Sequence, residues 1–277
     1  MRILPKVADC DINMPSNIRS NIESAKGFEI QLLGEDILLG LDKSKKLIDT
    51  FNNSVDYVVM HLPLKYVLLD TAHANKEFGK LYIEFLNQVI EYSNYKNIKI
   101  DILNHVVSTW DYFNSFGTME LLDKVLEILT GTNVTLLIEN SIRPLNDIDG
   151  SNTAEEMIFN LRSHPNLRFC FDICHWQSSE NAFNTKFSLT DELLSSLKNI
   201  HFSATLNGEG YRNKSKTHGR VHGCIEHVLS DIEYLREKQI ELGNINIILE
   251  INEEDYINRP NLIKEIHLFN QAMAVLD

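Results

Sequence analysis

The chain has 277 residues, 43% of them hydrophobic and 23% charged, and a formal net charge of −13. That is the composition of a globular protein with ample material for a core, and its acidity argues against non-specific attraction to nucleic acid or anionic membranes. No apolar run approaches about 18 residues, the opening "MRILPKVADCDINMPSN" carries no signal-peptide pattern, and the four cysteines form neither a CxxC pair nor a secreted framework, so a reduced, cytoplasmic protein without a membrane span is expected.

Short apolar runs alternate with longer amphipathic segments from end to end. In chain order the runs are "RILPKVA", "FEIQLL", "DYVVMHL", "IKIDILNHVV", "NVTLLIENS", "LRFCFDICHW", "KNIHFSAT" and "NINIILEIN". Between them lie helical patterns such as "KEFGKLYIEFLNQVIEYSN", "MELLDKVLEILTG", "DELLSSLKN" and "IEHVLSDIEYLREKQ". In the second of these, Leu121, Leu122, Val125, Leu126 and Leu129 recur at helical spacing, and Gly131 stands where a C-cap belongs. The last pattern, "RPNLIKEIHLFNQAMAVL", has Pro260 near its start, where a missing N–H costs little. Strands apolar on both faces, each followed by a helix, with about 35 residues per unit, predict an α/β fold. The expected form is a closed, parallel, eight-stranded (β/α)8 TIM barrel, one domain over residues 1–277. An open doubly wound sheet is the runner-up, disfavoured because no Gly-rich phosphate turn follows the first run.

The polar residues of these runs fall at their C-terminal ends, the rim where catalytic groups gather in a barrel. His61 follows "DYVVM", His105 follows "IDILN", Glu139 follows "NVTLLI", Asp172 follows "LRFCF", His201 follows "LKNI" and Glu250 follows "INIIL". Three imidazoles and three carboxylates converging there have the ligand chemistry of a divalent-metal site, with zinc or manganese favoured over magnesium. Without a cation the carboxylates would repel one another, and no Lys or Arg lies within those strand ends to pair with them. In a regular strand Asp172 and His175 would face opposite sides, so "DICH" is expected to be a strand end followed by the first residues of a loop.

After the seventh run, "NGEGYRNKSKTHGRVHG" carries Arg212, Lys214, Lys216 and Arg220 against the single acid Glu209. A basic segment over the mouth of an acidic barrel points to an anionic substrate, most simply a phosphate. Arg212, Lys214 and Arg220 are the candidate substrate-binding residues, and His218 and His222 add candidate ligands.

The rim set, above all "CFDICH" with "LLIENS" and "IILEIN", resembles the endonuclease IV family of apurinic/apyrimidinic endonucleases and, more broadly, the xylose isomerase-like barrels. The resemblance implies one zinc on His61, His105 and Glu139, and a second that Glu139 bridges to, completed by Asp172, His201 and Glu250. It also implies a third on His175 and His218. The sequence departs from that family where Lys216 replaces the aspartate of an Asp-x-His pair, where "VVSTW" follows His105, and where "SIRPLNDIDG" follows "EN".

The leading expectation is therefore a metal-dependent phosphodiester hydrolase with at least two ions, acting on a phosphate-containing substrate such as DNA with abasic sites. The alternative is an isomerase or epimerase of a sugar or sugar phosphate with a single ion, in which Glu139 and Glu250 are the catalytic acid and base. A barrel that only binds a ligand, with unmetallated carboxylates, is the third class.

Overall fold

The computed structural model describes residues 1–34, 36–63, 76–105, 116–141, 153–205, 219–253, 255 and 258–276. Its strands are β1 (Arg2–Ala8), β2 (Gly27–Gln31), β3 (Tyr57–His61), β4 (Lys99–His105), β5 (Val134–Glu139), β6 (Leu167–Asp172), β7 (Leu197–Phe202) and β8 (Asn246–Leu249). All pair in parallel with their sequence neighbours, and β1 closes the ring on β8 through Arg2 to Pro5 against Asn246 to Leu249. The architecture is the expected (β/α)8 TIM barrel.

The helices among the described residues are α1 (Ser16–Ala25), α2 (Ile37–Asp49), α3 (Lys76–Lys96), α4 (Phe116–Leu129), α5 (Ala154–Leu161), α6 (Ile173–Phe183), α7 (Asp191–Ser196), α8 (Ile225–Glu237) and α9 (Pro260–Leu276). Local chemistry sets their ends. Asp36 caps α2 by accepting the N–H groups of Leu38 and Leu39. On α4, Leu122, Val125, Leu126 and Leu129 form the buried stripe, and Gly131 takes the left-handed conformation (φ +76°) just beyond it. Pro260 is the first residue of α9. The pattern "DELLSSLKN" is helical only to Ser196, because Leu197 and Lys198 already belong to β7. No described helix is long and apolar enough to cross a membrane.

Most apolar side chains fill the shell between strands and helices. A second, smaller cluster of Leu4, Tyr57, Val59, Leu103, Leu137, Cys170 and Ile248 fills the barrel itself. Gly27 supplies no side chain here: a Cβ would stand 2.7 Å from the Tyr57 carbonyl oxygen. Below this layer lies a polar floor, where Tyr57 donates to Asp101 at 2.6 Å and Lys198 pairs with Asp101 at 2.8 Å. Above it, two residues further along each strand by the period of the pleat, lies the rim.

Candidate metal centre

Each strand, or for β8 the residue just past it, supplies one polar residue to the rim layer: Lys6, Glu29, His61, His105, Glu139, Asp172, His201 and Glu250. His61, His105, Glu139 and Asp172 end their strands, His201 is one short of the end of β7, and Glu250 is the first residue past β8. The six residues expected to converge do so.

Their donor atoms divide into two sets. His61 Nε2 lies 3.2 Å from His105 Nε2, and Glu139 Oε2 lies 3.9 and 3.4 Å from those two nitrogens. Around His201 Nδ1, Glu250 Oε2 lies at 2.8 Å, Glu139 Oε1 at 3.2 Å and Asp172 Oδ2 at 3.9 Å. Donors about 2.0–2.1 Å from a tetrahedral zinc stand about 3.3 Å from one another. Both sets therefore have spacing that such an ion takes, and each could hold one. Glu139 takes part in both, one oxygen in each. Both its oxygens and His201 Nδ1 are buried without a well-directed hydrogen bond among the described residues, a costly arrangement that a divalent ion would relieve.

The charges of the rim side chains are mutually adjusted. Burial would raise the Glu139 pKa, but His105, His201 and His61 hold it well below the usual carboxylate range. Burial, with His61 and His175 alongside, pushes His105 down to about 4 against the pull of Glu139, so its imidazole is neutral as ligation demands. Burial also opposes protonation of His201, yet the carboxylates of Glu139, Glu29 and Glu250 hold its proton well above the usual histidine range.

Sequence reasoning missed Lys6 and Glu29. Glu29 is fully buried and reaches behind both histidines, with Oε1 3.0 Å from His61 Nδ1 and Oε2 2.9 Å from His201 Nε2. Glu29, His61 and His201 also form a compact donor group, but it uses the ring nitrogens opposite those of the two sets above. Glu29 is therefore placed as an outer carboxylate behind two candidate ligand imidazoles. Lys6 lies 3.0 Å from Glu29 Oε1 and 2.8 Å from His61 Nδ1, and its ammonium also pairs with Glu250 Oε1. The expectation that the rim carboxylates lack a basic partner is thereby corrected: the partner comes from β1, which lies beside β8. Period-two counting was the available signal, since Lys6 stands two residues after inward-facing Leu4 and Glu29 two after Gly27.

The loop expected after Asp172 is a helix. Strand β6 passes directly into α6, and Asp172 is its N-cap, its Oδ1 accepting the His175 N–H at 2.6 Å. The bend at Asp172 brings His175 to the same side, with its Nδ1 3.6 Å from Glu139 Oε1. That nitrogen donates to the Asn140 carbonyl at 2.9 Å, so a ligand role would fall to Nε2. Asn140 also fixes Asp172, its side chain accepting the Asp172 N–H at 2.7 Å and donating to the Asp172 carbonyl at 3.0 Å.

Arg212, Lys214, Lys216 and His218 lie outside the described residues. Arg220 is half-buried, and its carbonyl accepts the Ala204 N–H at 2.9 Å beside the end of β7. His222, an expected candidate ligand, is instead a buried anchor: Nε2 meets Asp231 at 3.0 Å and Nδ1 meets Glu265. Both its nitrogens are spent there.

A family model described as xylose isomerase-like TIM barrel matches residues 23–272. The chain belongs to the xylose isomerase-like TIM barrel family. This is a family of enzymes, sugar epimerases and isomerases among them. Among solved structures, a D-tagatose 3-epimerase-like protein superposes with a TM-score of 0.60 at 16% identity, covering 99% of this chain and 98% of that one. A Thermus thermophilus protein soaked with ZnCl2 gives 0.57 at 17% identity, covering 98% and 99%. D-allulose 3-epimerase from Methylomonas sp., in complex with D-allulose, gives 0.54 at 11% identity, covering 98% and 97%. At such identities these likenesses concern the family's fold. No match was found among the curated proteins.

Proposed function

We propose that the protein is a two-ion, metal-dependent hydrolase that cleaves a phosphate ester borne by a sugar, an abasic nucleotide in DNA being one member of that class. The observation that carries this reading is the division of Glu139, Oε2 among His61 and His105 and Oε1 among Asp172, His201 and Glu250. Charge supports it. With the histidines neutral, four rim carboxylates against the one ammonium of Lys6 leave a surplus of three negative charges. Two divalent ions would make the pocket positive and receptive to a phosphate.

His61, His105 and Glu139 would hold the first ion, and Glu139, Asp172, His201 and Glu250 the second. Such ions supply Lewis acidity toward phosphoryl oxygens and make water a nucleophile near neutral pH. Within the chain, Glu29 keeps two imidazoles in the ligating orientation and Asn140 holds Asp172. His175, its Nδ1 engaged by the Asn140 carbonyl, turns Nε2 to substrate or to a further ion shared with His218. Arg212, Lys214 and Arg220 are the residues proposed to neutralise the phosphate. The acidic chain favours a small sugar phosphate over duplex DNA, whose binding needs a basic surface.

A second reading is a single-ion sugar epimerase on Glu139, Asp172, His201 and Glu250, with Glu139 and Glu250 as acid and base. Its support is that these residues form one donor group and that several structural neighbours are described as sugar 3-epimerases, one bound to D-allulose. The test is to load purified protein with zinc or manganese. Phosphate release from a panel of sugar phosphates and nicking of an abasic oligonucleotide are then measured beside epimerisation of free ketoses. Phosphoester cleavage supports the first reading; epimerisation without cleavage replaces it with the second.

A further inference from the structure

Lys6 belongs to neither donor set, yet it touches both from behind. Its ammonium pairs with Glu250 Oε1, while Glu250 Oε2 lies 2.8 Å from His201 Nδ1 in the second set. Glu250 is thus divided between a resident cation and the position an ion would take. Of the first set, Lys6 touches the His61 ring, lying 2.8 Å from Nδ1, the nitrogen facing away from the donor set. Lys6 also lies 3.0 Å from Glu29 Oε1, so its ammonium stands between two rim carboxylates.

We propose that Lys6 is a built-in counter-cation that ranks the two ion positions. It satisfies Glu250 and Glu29 when no ion is present, so the ion at Glu139, Asp172, His201 and Glu250 binds second and more weakly than the ion at His61, His105 and Glu139. An incoming ion in the second set must share Glu250 with the ammonium and be repelled by it across one carboxylate, whereas the first ion is insulated by an imidazole. Lys6 is a positioning residue here, acting through Glu250 and Glu29. The proposal rests on the two-ion reading above.

The test is a zinc titration of chelator-treated protein against a chromophoric competitor, for wild type, Lys6→Met and Lys6→Arg. Wild type is expected to bind in a tight and a weak step. Lys6→Met, which keeps the stem and removes the charge, tightens the weak step by about tenfold or more through loss of the like-charge repulsion and leaves the tight step nearly unchanged; Lys6→Arg retains the wild-type ranking. The zinc-induced rise in Tm grows in Lys6→Met accordingly. If the ion-free Lys6→Met chain does not fold, Lys6→Gln, which keeps a donor toward Glu29, is read in the same way. A second step that is unchanged or weaker without the ammonium overturns the proposal. Wild type binding a single ion would instead overturn the two-ion reading. Lys6 would then be judged by whether its neutralisation tightens that ion.

Discussion

Glu29 Oε2 lies 2.9 Å from His201 Nε2, and this contact turns His201 Nδ1 toward the second donor set. The other Glu29 oxygen lies 3.0 Å from His61 Nδ1, so a single buried carboxylate stands behind an imidazole in each set. Glu29→Gln keeps the shape but weakens that grip and removes the charge facing Lys6. Zinc affinity is expected to fall by about 10–100-fold with the far-UV spectrum unchanged. Competition titration checks this, and affinity equal to wild type would remove Glu29 from the centre.

Glu139 and His105 separate shared from unshared ligands. Glu139→Ala takes one donor from each set, whereas His105→Ala takes one from the first alone. Elemental analysis after dialysis should find both positions depleted in Glu139→Ala and only one in His105→Ala. The same loss in both variants would contradict a bridging role.

His222 gives the protein a pH dependence unrelated to the metal. Burial lowers its pKa, but hydrogen bonds to Asp231 and Glu265 outweigh that and lift it to about 9. The facing groups are Asp231, from α8, which also accepts the Thr205 N–H and hydroxyl, and Glu265, from α9, which also accepts the His222 N–H; the Phe202 ring stacks on the imidazole. A folded-state pKa above the unfolded value of about 6.5 means the stabilisation is complete below that pH and fades as pH rises through about 9. Urea midpoints should decline over that window, by up to roughly 3 kcal/mol in unfolding free energy, and the decline should flatten in His222→Gln. An equally steep decline in the variant would assign it elsewhere.

Asn140 stitches the ends of β5 and β6 together with two hydrogen bonds to the backbone of Asp172. Asn140→Ala removes both of these buried hydrogen bonds, costing about 1–3 kcal/mol. Denaturant unfolding measures that loss. Because Asp172 is also released, the occupancy of the second ion position should drop with it, and intact occupancy would show that Asp172 is held by other contacts.

How much of this was legible beforehand depended on the layer. All eight strands and their order were readable, because runs buried on both faces are continuously apolar and the helices between them are striped. The six rim residues of β3 to β8 stood out because a His, Asp or Glu closing an apolar run has no packing reason to be there. Lys6 and Glu29 did not stand out, since β1 and β2 continue past them with Val7 and Ile30 and each reads as an outward polar residue of an ordinary strand. Only the ring closure of β1 on β8 puts Lys6 beside Glu250. The turn at Asp172 was legible as a bend but not as a helix start, because one side chain serves as N-cap and rim carboxylate together. The anchoring role of His222 was not legible because its partners, Asp231 and Glu265, lie 9 and 43 positions away on separate helices.

The central claim is that distant imidazoles and carboxylates meet at this rim because cations bind between them, two per chain, with Glu139 between the two. Anomalous diffraction from zinc-loaded crystals tests it most directly. Two peaks are expected, one within coordinating distance of His61, His105 and Glu139 and the other of Glu139, Asp172, His201 and Glu250. A rim with no peak, its carboxylates instead paired with Lys6 and a protonated His201, would contradict the account.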